Sequence, residues 1–175
     1  MRQRDDNLNE VFPLRSLLSR TPDAVSYITG SRDYPGITGS VLLYQTRAGV
    51  VVWAEMRGLP AENEICKNRV FGFHIHGGSD CAENSEEPYP LSGSHYDPHD
   101  CIHPYHAGDL PPLFGNDGLA VSVFLTNRFK VTDVIGKVII IHGSPDDFVS
   151  QPSGNAGEKI ACGVINRIGR RRKMF

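Results

Sequence analysis

The segment from Gly77 to Asp117 constrains the fold more than any other part of the chain. Apolar alternation stops there, Gly, Pro, Asn, Asp and His crowd in, and strand-like apolar runs resume beyond it. A connection this long needs something to hold it, because each ordered residue costs roughly 1–2 kcal/mol of backbone entropy. Its side chains suggest what that is. Six of the seven histidines lie between His74 and Asp109: His74-Ile-His76, His95, His99 and His103-Pro-Tyr-His106, closing on Asp109. Imidazole is the commonest metal-binding side chain, and His/Asp clusters of this density point to a metalloprotein.

The flanking sequence reads as β. Apolar runs at 24–30, 40–46, 49–59 and 66–76 precede the long loop, and runs at 118–126, 136–143 and 159–168 follow it. Arg47-Ala48-Gly49 is a hairpin loop, and Thr132-Asp-Val-Ile135 a short turn. About eight short strands with long ordered loops predict an all-β antiparallel sandwich or barrel. No repeat or linker is visible, so residues 23–168 are expected to form one domain. Residues 1–22 are an extension in which Val11, Phe12, Leu14, Leu17 and Leu18 recur at roughly helical spacing. They predict a short helix packed on the domain or on a second subunit. Residues 169–175 form a basic tail, read as a solvated terminus, with a polyanion or membrane-surface patch as the alternative.

With a net charge of -2 the bulk composition gives no reason to expect a nucleic-acid partner, and no apolar run is long enough to span a membrane. The start MRQRDDNLNE is not followed by an unbroken apolar region, so a cytoplasmic location is expected, or else the mature form of an exported protein. The four cysteines form no CxxC pair, which argues against a zinc knuckle or a thioredoxin-like motif.

His74 and His76, two apart on a strand, point to one face and offer two imidazoles to one ion, while Ile75 points to the core. His142 closes the run Val138–His142 in the same way and could approach from across the fold. His95, His103, His106 and Asp109 supply three nitrogens and one carboxylate oxygen. That is a complete tetrahedral zinc set with no position left open, as in structural sites.

The motifs GFHIH, GSHYDP, HPYHAGDLP, the strand-end His142 and GNAGEKIACGVI, in this order, resemble the copper/zinc superoxide dismutase family, in particular its bacterial forms. The resemblance covers roughly residues 24 to 168. It implies an eight-stranded Greek-key β-barrel (an immunoglobulin-like sandwich) with two long functional loops over a copper–zinc pair. It implies that His74, His76, His95 and His142 hold copper and that His95, His103, His106 and Asp109 hold zinc. His95 would serve both metals as an imidazolate bridge, released from copper and protonated in each cycle. Four imidazoles suit tetragonal copper, and the N₃O set suits zinc. Asp146 matches the carboxylate that joins a copper histidine to a zinc histidine, and Cys81 and Cys162 match the family's disulfide. His99 has no role in this reading.

The implied activity is disproportionation of superoxide to dioxygen and hydrogen peroxide. Lys159 stands where the family usually has a guiding arginine; it keeps the charge but loses the planar fork. The loop from His142 to Gly154 is short and lacks lysine, and the segment between Cys81 and His95 is longer and acidic. Cys66 and Cys101 stay open as two reduced thiols, a mutual pair, or, for Cys101, a competing ligand. The alternative function is a non-catalytic zinc- or copper-binding relative that buffers or delivers copper; such proteins usually lack a copper histidine, and this chain lacks none. A zinc hydrolase is set aside, because the HxxH carries no glutamate between its histidines. A homodimer and a copper chaperone are the protein partners the resemblance brings into consideration.

Overall fold

The computed structural model describes residues 16–17, 19–61 and 70–169. The N-terminal residues before Ser16, Cys66 and the tail beyond Gly169 lie outside the described residues, and with them most of the expected extension helix and basic tail. The strands are β1 (Ala24–Gly30), β2 (Thr38–Gln45), β3 (Val50–Arg57), β4 (Val70–Phe71), β5 (Phe73–His76), β6 (Leu113–Phe114), β7 (Ala120–Thr126), β8 (Val138–His142) and β9 (Lys159–Arg167). Seven of them form one antiparallel sheet in the order β5-β8-β9-β1-β2-β3-β7, and β4 and β6 form a two-stranded ribbon. The all-β expectation holds; the expected strands resolve into this sheet and ribbon.

Alternation builds the core. One face of the sheet contributes Ile28, Val41, Leu43, Val50, Val52, Ala54, Met56, Phe73, Ile75, Ala120, Ile139, Ile141, Ile160 and Ile165 to one buried cluster. The edge strands β5 and β7 both supply it, with Phe73 and Ile75 on one side and Ala120 and Phe124 on the other. A sheet whose two edges share one core is curled on itself. Burying an aliphatic side chain stabilises by about 1.5–3 kcal/mol, so this cluster dominates the stability of the fold.

Local departures have identifiable causes. The run 66–76, expected as one strand, breaks at Gly72. There the chain leaves β4 and pairs with the last loop, Gly72 donating to Ser144 O at 2.8 Å and accepting from His142 N at 2.8 Å. The expected turn at 132–135 is instead a single helical turn, α1 (Val131–Val134), which buries Val131 and Val134. The Arg47-Ala48-Gly49 hairpin forms as expected, with Gln45 opposite Val50. Leu17, from the extension, is buried against Tyr44 and Val51 on the outer face of β2 and β3. No helix among the described residues is long and apolar enough to cross a membrane.

The sheet positions the long loop through a free edge. β5 pairs with β8 on one side only, and the His-rich connection folds back along the other. Ile75 N donates to Gly108 O (2.9 Å), Tyr96 N to Ile75 O (2.8 Å) and Gly77 N to Ser94 O (2.8 Å). These bonds satisfy an edge that would otherwise be exposed. They also set His95 opposite His76 and Asp109 opposite His74 as isolated bridge pairs. Gly108 allows the close approach, since a Cβ there would lie 2.2 Å from Ile75 O.

Candidate metal centre

Two groups of four side chains each bring one ligand atom per residue within 4.8 Å of the others: His74, His76, His95 and His142, and His95, His103, His106 and Asp109. All seven residues are buried. The shared residue is His95. The sheet supplies the first group, with His74 and His76 on one face of β5 and His142 at the end of the adjacent β8. The folded-back loop supplies the second.

The ring nitrogens explain what each group can do. His76 donates Nδ1–H to Gly93 O (2.7 Å), and His142 donates Nδ1–H to Gly157 O (3.1 Å). Both Nε2 atoms are then unprotonated, yet they face each other at 3.3 Å. Two lone pairs at that separation repel unless a cation lies within reach of both. His74 places Nε2 at 2.7 Å from Asp146 Oδ2, which leaves its Nδ1 buried without a partner. His95 turns Nδ1 to Asp109 Oδ1 (2.7 Å) and leaves Nε2 buried without a partner. The first group thus presents His74 Nδ1 and the Nε2 atoms of His76, His95 and His142. In the second, the Nδ1 atoms of His95, His103 and His106 lie 2.7, 3.2 and 3.2 Å from Asp109 carboxylate oxygens. His103 Nδ1 has no hydrogen-bond partner. Orphaned, converging, buried acceptors are costly in an apolar interior, and a pair of metal ions would satisfy them.

Electrostatics keep His74, His76 and His142 neutral. Burial pushes His142 down to about 3, helped by the nearby His74 and opposed by the Gly157 carbonyl. Burial also holds His76 well below its ordinary value, and lowers His74 against the opposing pull of Asp146. Only neutral imidazole binds a metal, so these shifts favour coordination. The carboxylates are lowered as well, which for them favours the charged form. Burial would raise Asp109, but its contact with His95 and the neighbouring histidines outweighs that and lowers it. Burial would raise Asp146 too, yet hydrogen bonds from His74, the Phe148 amide and His103 hold it well below the carboxylate range.

Residues 37–165 match the profile of the family described as copper/zinc superoxide dismutase (SODC). The chain belongs to the copper/zinc superoxide dismutase family. It is 32% identical over 144 residues to Cu-Zn superoxide dismutase 2 of Aquifex aeolicus, across 74% of this chain and 79% of that protein. It is 34% identical over 150 residues to the Cu-Zn superoxide dismutase of Deinococcus radiodurans, across 75% and 79% of the two chains. With that of Legionella pneumophila it shares 33% over 147 residues, across 79% and 83%.

Family membership makes the remaining placements informative. Asp146 joins the two groups directly, with Oδ2 at His74 Nε2 and Oδ1 at 2.9 Å from His103 Nε2. Cys81 and Cys162 form a disulfide that ties the loop to β9. Cys101 is free and exposed, and it belongs to neither metal group, as does His99. Lys159 is the ladder partner of His142, next to a register shift between β8 and β9.

Sequence reasoning missed three residues that hold these groups, and the partner of Lys159. Gln151 brackets the backbone of His103, accepting from its N–H (3.0 Å) and donating to its C=O (2.8 Å). Arg128 donates from one nitrogen to the carbonyls of Pro104, His106 and Asp109 at 3.0–3.2 Å. Gly154, at φ +67°, lies where a Cβ would fall 2.1 Å from Asp146 Oδ1 and 2.7 Å from His103 Nε2. Glu87 meets Lys159. Only Gly154, inside a Gly-rich loop, carried any sequence signal.

Proposed function

We propose that this chain is a superoxide dismutase in which His74, His76, His95 and His142 hold copper and His95, His103, His106 and Asp109 hold zinc. The observation that carries the proposal is the pair of complete four-ligand groups sharing His95, whose two ring nitrogens face different groups. An all-imidazole set suits copper, and an N₃O set with no open position suits a structural zinc. When bound, copper supplies one-electron chemistry: one superoxide is oxidised to dioxygen, and a second, taking up one electron and two protons, becomes hydrogen peroxide.

The chain's own residues supply the rest. His95 Nε2 carries one of those protons between half-reactions, and Asp109 orients its ring through Nδ1. Asp146 fixes His74 and His103 at once and so sets the two groups relative to each other. Lys159 attracts the anion as a point charge beside His142. The test is metal analysis of purified protein with superoxide turnover before and after copper loading. Turnover that rises with copper occupancy is expected. Zinc at full stoichiometry with copper that never loads, and no turnover, would leave a non-catalytic metal-binding relative.

We propose a second copy of this chain as its protein partner. β7 turns Val121, Val123 and Leu125 outward at 69%, 40% and 55% exposure, with Leu119 and Phe114 also exposed. A charge-free strip on one strand can meet its own two-fold copy without like-charge conflict. Sedimentation of the parent should give a dimer and Val123→Glu a monomer; a parent that is monomeric at every concentration sinks this.

A further inference from the structure

The acidic segment Cys81–Tyr89 lies against β9 and is tied down at three points. The Cys81–Cys162 disulfide is the first. The second is Arg32, whose backbone N–H meets both carboxylate oxygens of Glu83 at 3.1 and 3.2 Å and whose guanidinium donates to Asn84 O. The third is Lys159, whose Nζ lies 3.0 Å from Glu87 Oε1 and 3.4 Å from Tyr89 O. The Lys159 side chain is only 18% exposed, while that of Glu87 is 57% exposed.

We propose that Glu87 tunes the charge that Lys159 presents to the incoming anion, and so holds back the rate of anion capture. The inference rests on the reading of Lys159 as the guiding cation. At distances several times their 3.0 Å separation, opposite charges act as a small dipole rather than a monopole. An approaching anion therefore meets little of the lysine's long-range field. The carboxylate is not the only contact of the ammonium. Glu87 is the exposed partner and holds the ammonium weakly, whereas Nζ also reaches the carbonyl of Tyr89, a residue that is 2% exposed. Removing the Glu87 charge leaves Lys159 seated and uncancelled.

The test is kcat/KM for superoxide of the copper- and zinc-loaded Glu87→Gln protein, from about 10 to about 200 mM ionic strength, with metal content and thermal midpoint matched to the parent. The expected result is a rise of about threefold at the low end and a steeper decline with salt. Azide, as a non-reacting anion, should bind correspondingly tighter. Glu86→Gln removes the same charge one residue away and should give a clearly smaller effect. An unchanged or lower kcat/KM in Glu87→Gln overturns the inference, and so does an equal rise in Glu86→Gln, which would trace the effect to net charge alone. Lys159→Gln separates this from the parent reading. If it leaves kcat/KM unchanged, Lys159 is not the guiding cation. If it lowers kcat/KM while Glu87→Gln does nothing, only the role of Glu87 falls.

Discussion

His76 and His142 stand 66 residues apart, yet their Nε2 atoms face each other at 3.3 Å with both Nδ1 atoms turned to backbone carbonyls. Two carbonyls thus fix two tautomers, and the tautomers define one cation site between two adjacent strands.

Replacing His142 by Gln should empty that group alone. Elemental analysis is expected to show copper lost and zinc retained, with superoxide turnover down by at least about 100-fold. Joint loss of both metals would mean that the groups do not load independently.

Asp146→Asn keeps the shape of the side chain but removes the charge shared between His74 and His103. Zinc affinity, read by competition with a chromogenic chelator, should fall about 10- to 100-fold. An unchanged affinity would show that Gln151 and Arg128 hold the loop without it.

Acid should unfold the metal-stripped protein early. The pKa of His142 lies near 3 in the fold, against about 6.5 in an unfolded chain, and His76 and His74 are shifted the same way. Between those values the unfolded state binds protons that the folded state refuses. The stability is therefore fully present above about pH 6.5 and is lost as pH falls toward 3. Below the ordinary carboxylate range, protonation of Asp109 and Asp146 should add to the loss. Urea midpoints of chelator-treated protein should drop steadily from pH 7 to pH 4; a flat profile would contradict the burial of these imidazoles.

Gly154→Ala adds a methyl group where Asp146 Oδ1 and His103 Nε2 already sit, at a backbone conformation that costs an L-residue roughly 1–2 kcal/mol. Zinc-saturated protein should show a lower thermal midpoint and faster zinc release than the parent. An unchanged release rate would mean that the final loop does not cover the second group.

The strands were legible because a half-buried sheet imposes period two, as at Ala54-Glu-Met-Arg57 in β3, and because a strand buried on both faces reads as an unbroken apolar run, as at residues 138–141. The ligand groups were legible because HxH on a strand and HxxH before an Asp leave few other uses for so many imidazoles. What was not legible involves pairs distant in sequence. Nothing at Gln151 announces that it brackets His103, 48 residues away, and nothing at Glu87 announces Lys159, 72 residues away. The break at Gly72 escaped notice because it depends on Ser144 and His142 arriving beside it.

The sequence by itself determined an all-β chain and the residue types of two metal groups, because periodicity and ligand chemistry are local properties. Only the tertiary structure decided which nitrogen of each histidine is free, how Asp146 joins the groups, and that the cation beside His142 is paired with an acidic loop. Those outcomes depend on hydrogen-bond partners and charges that the curled sheet brings together from distant parts of the chain.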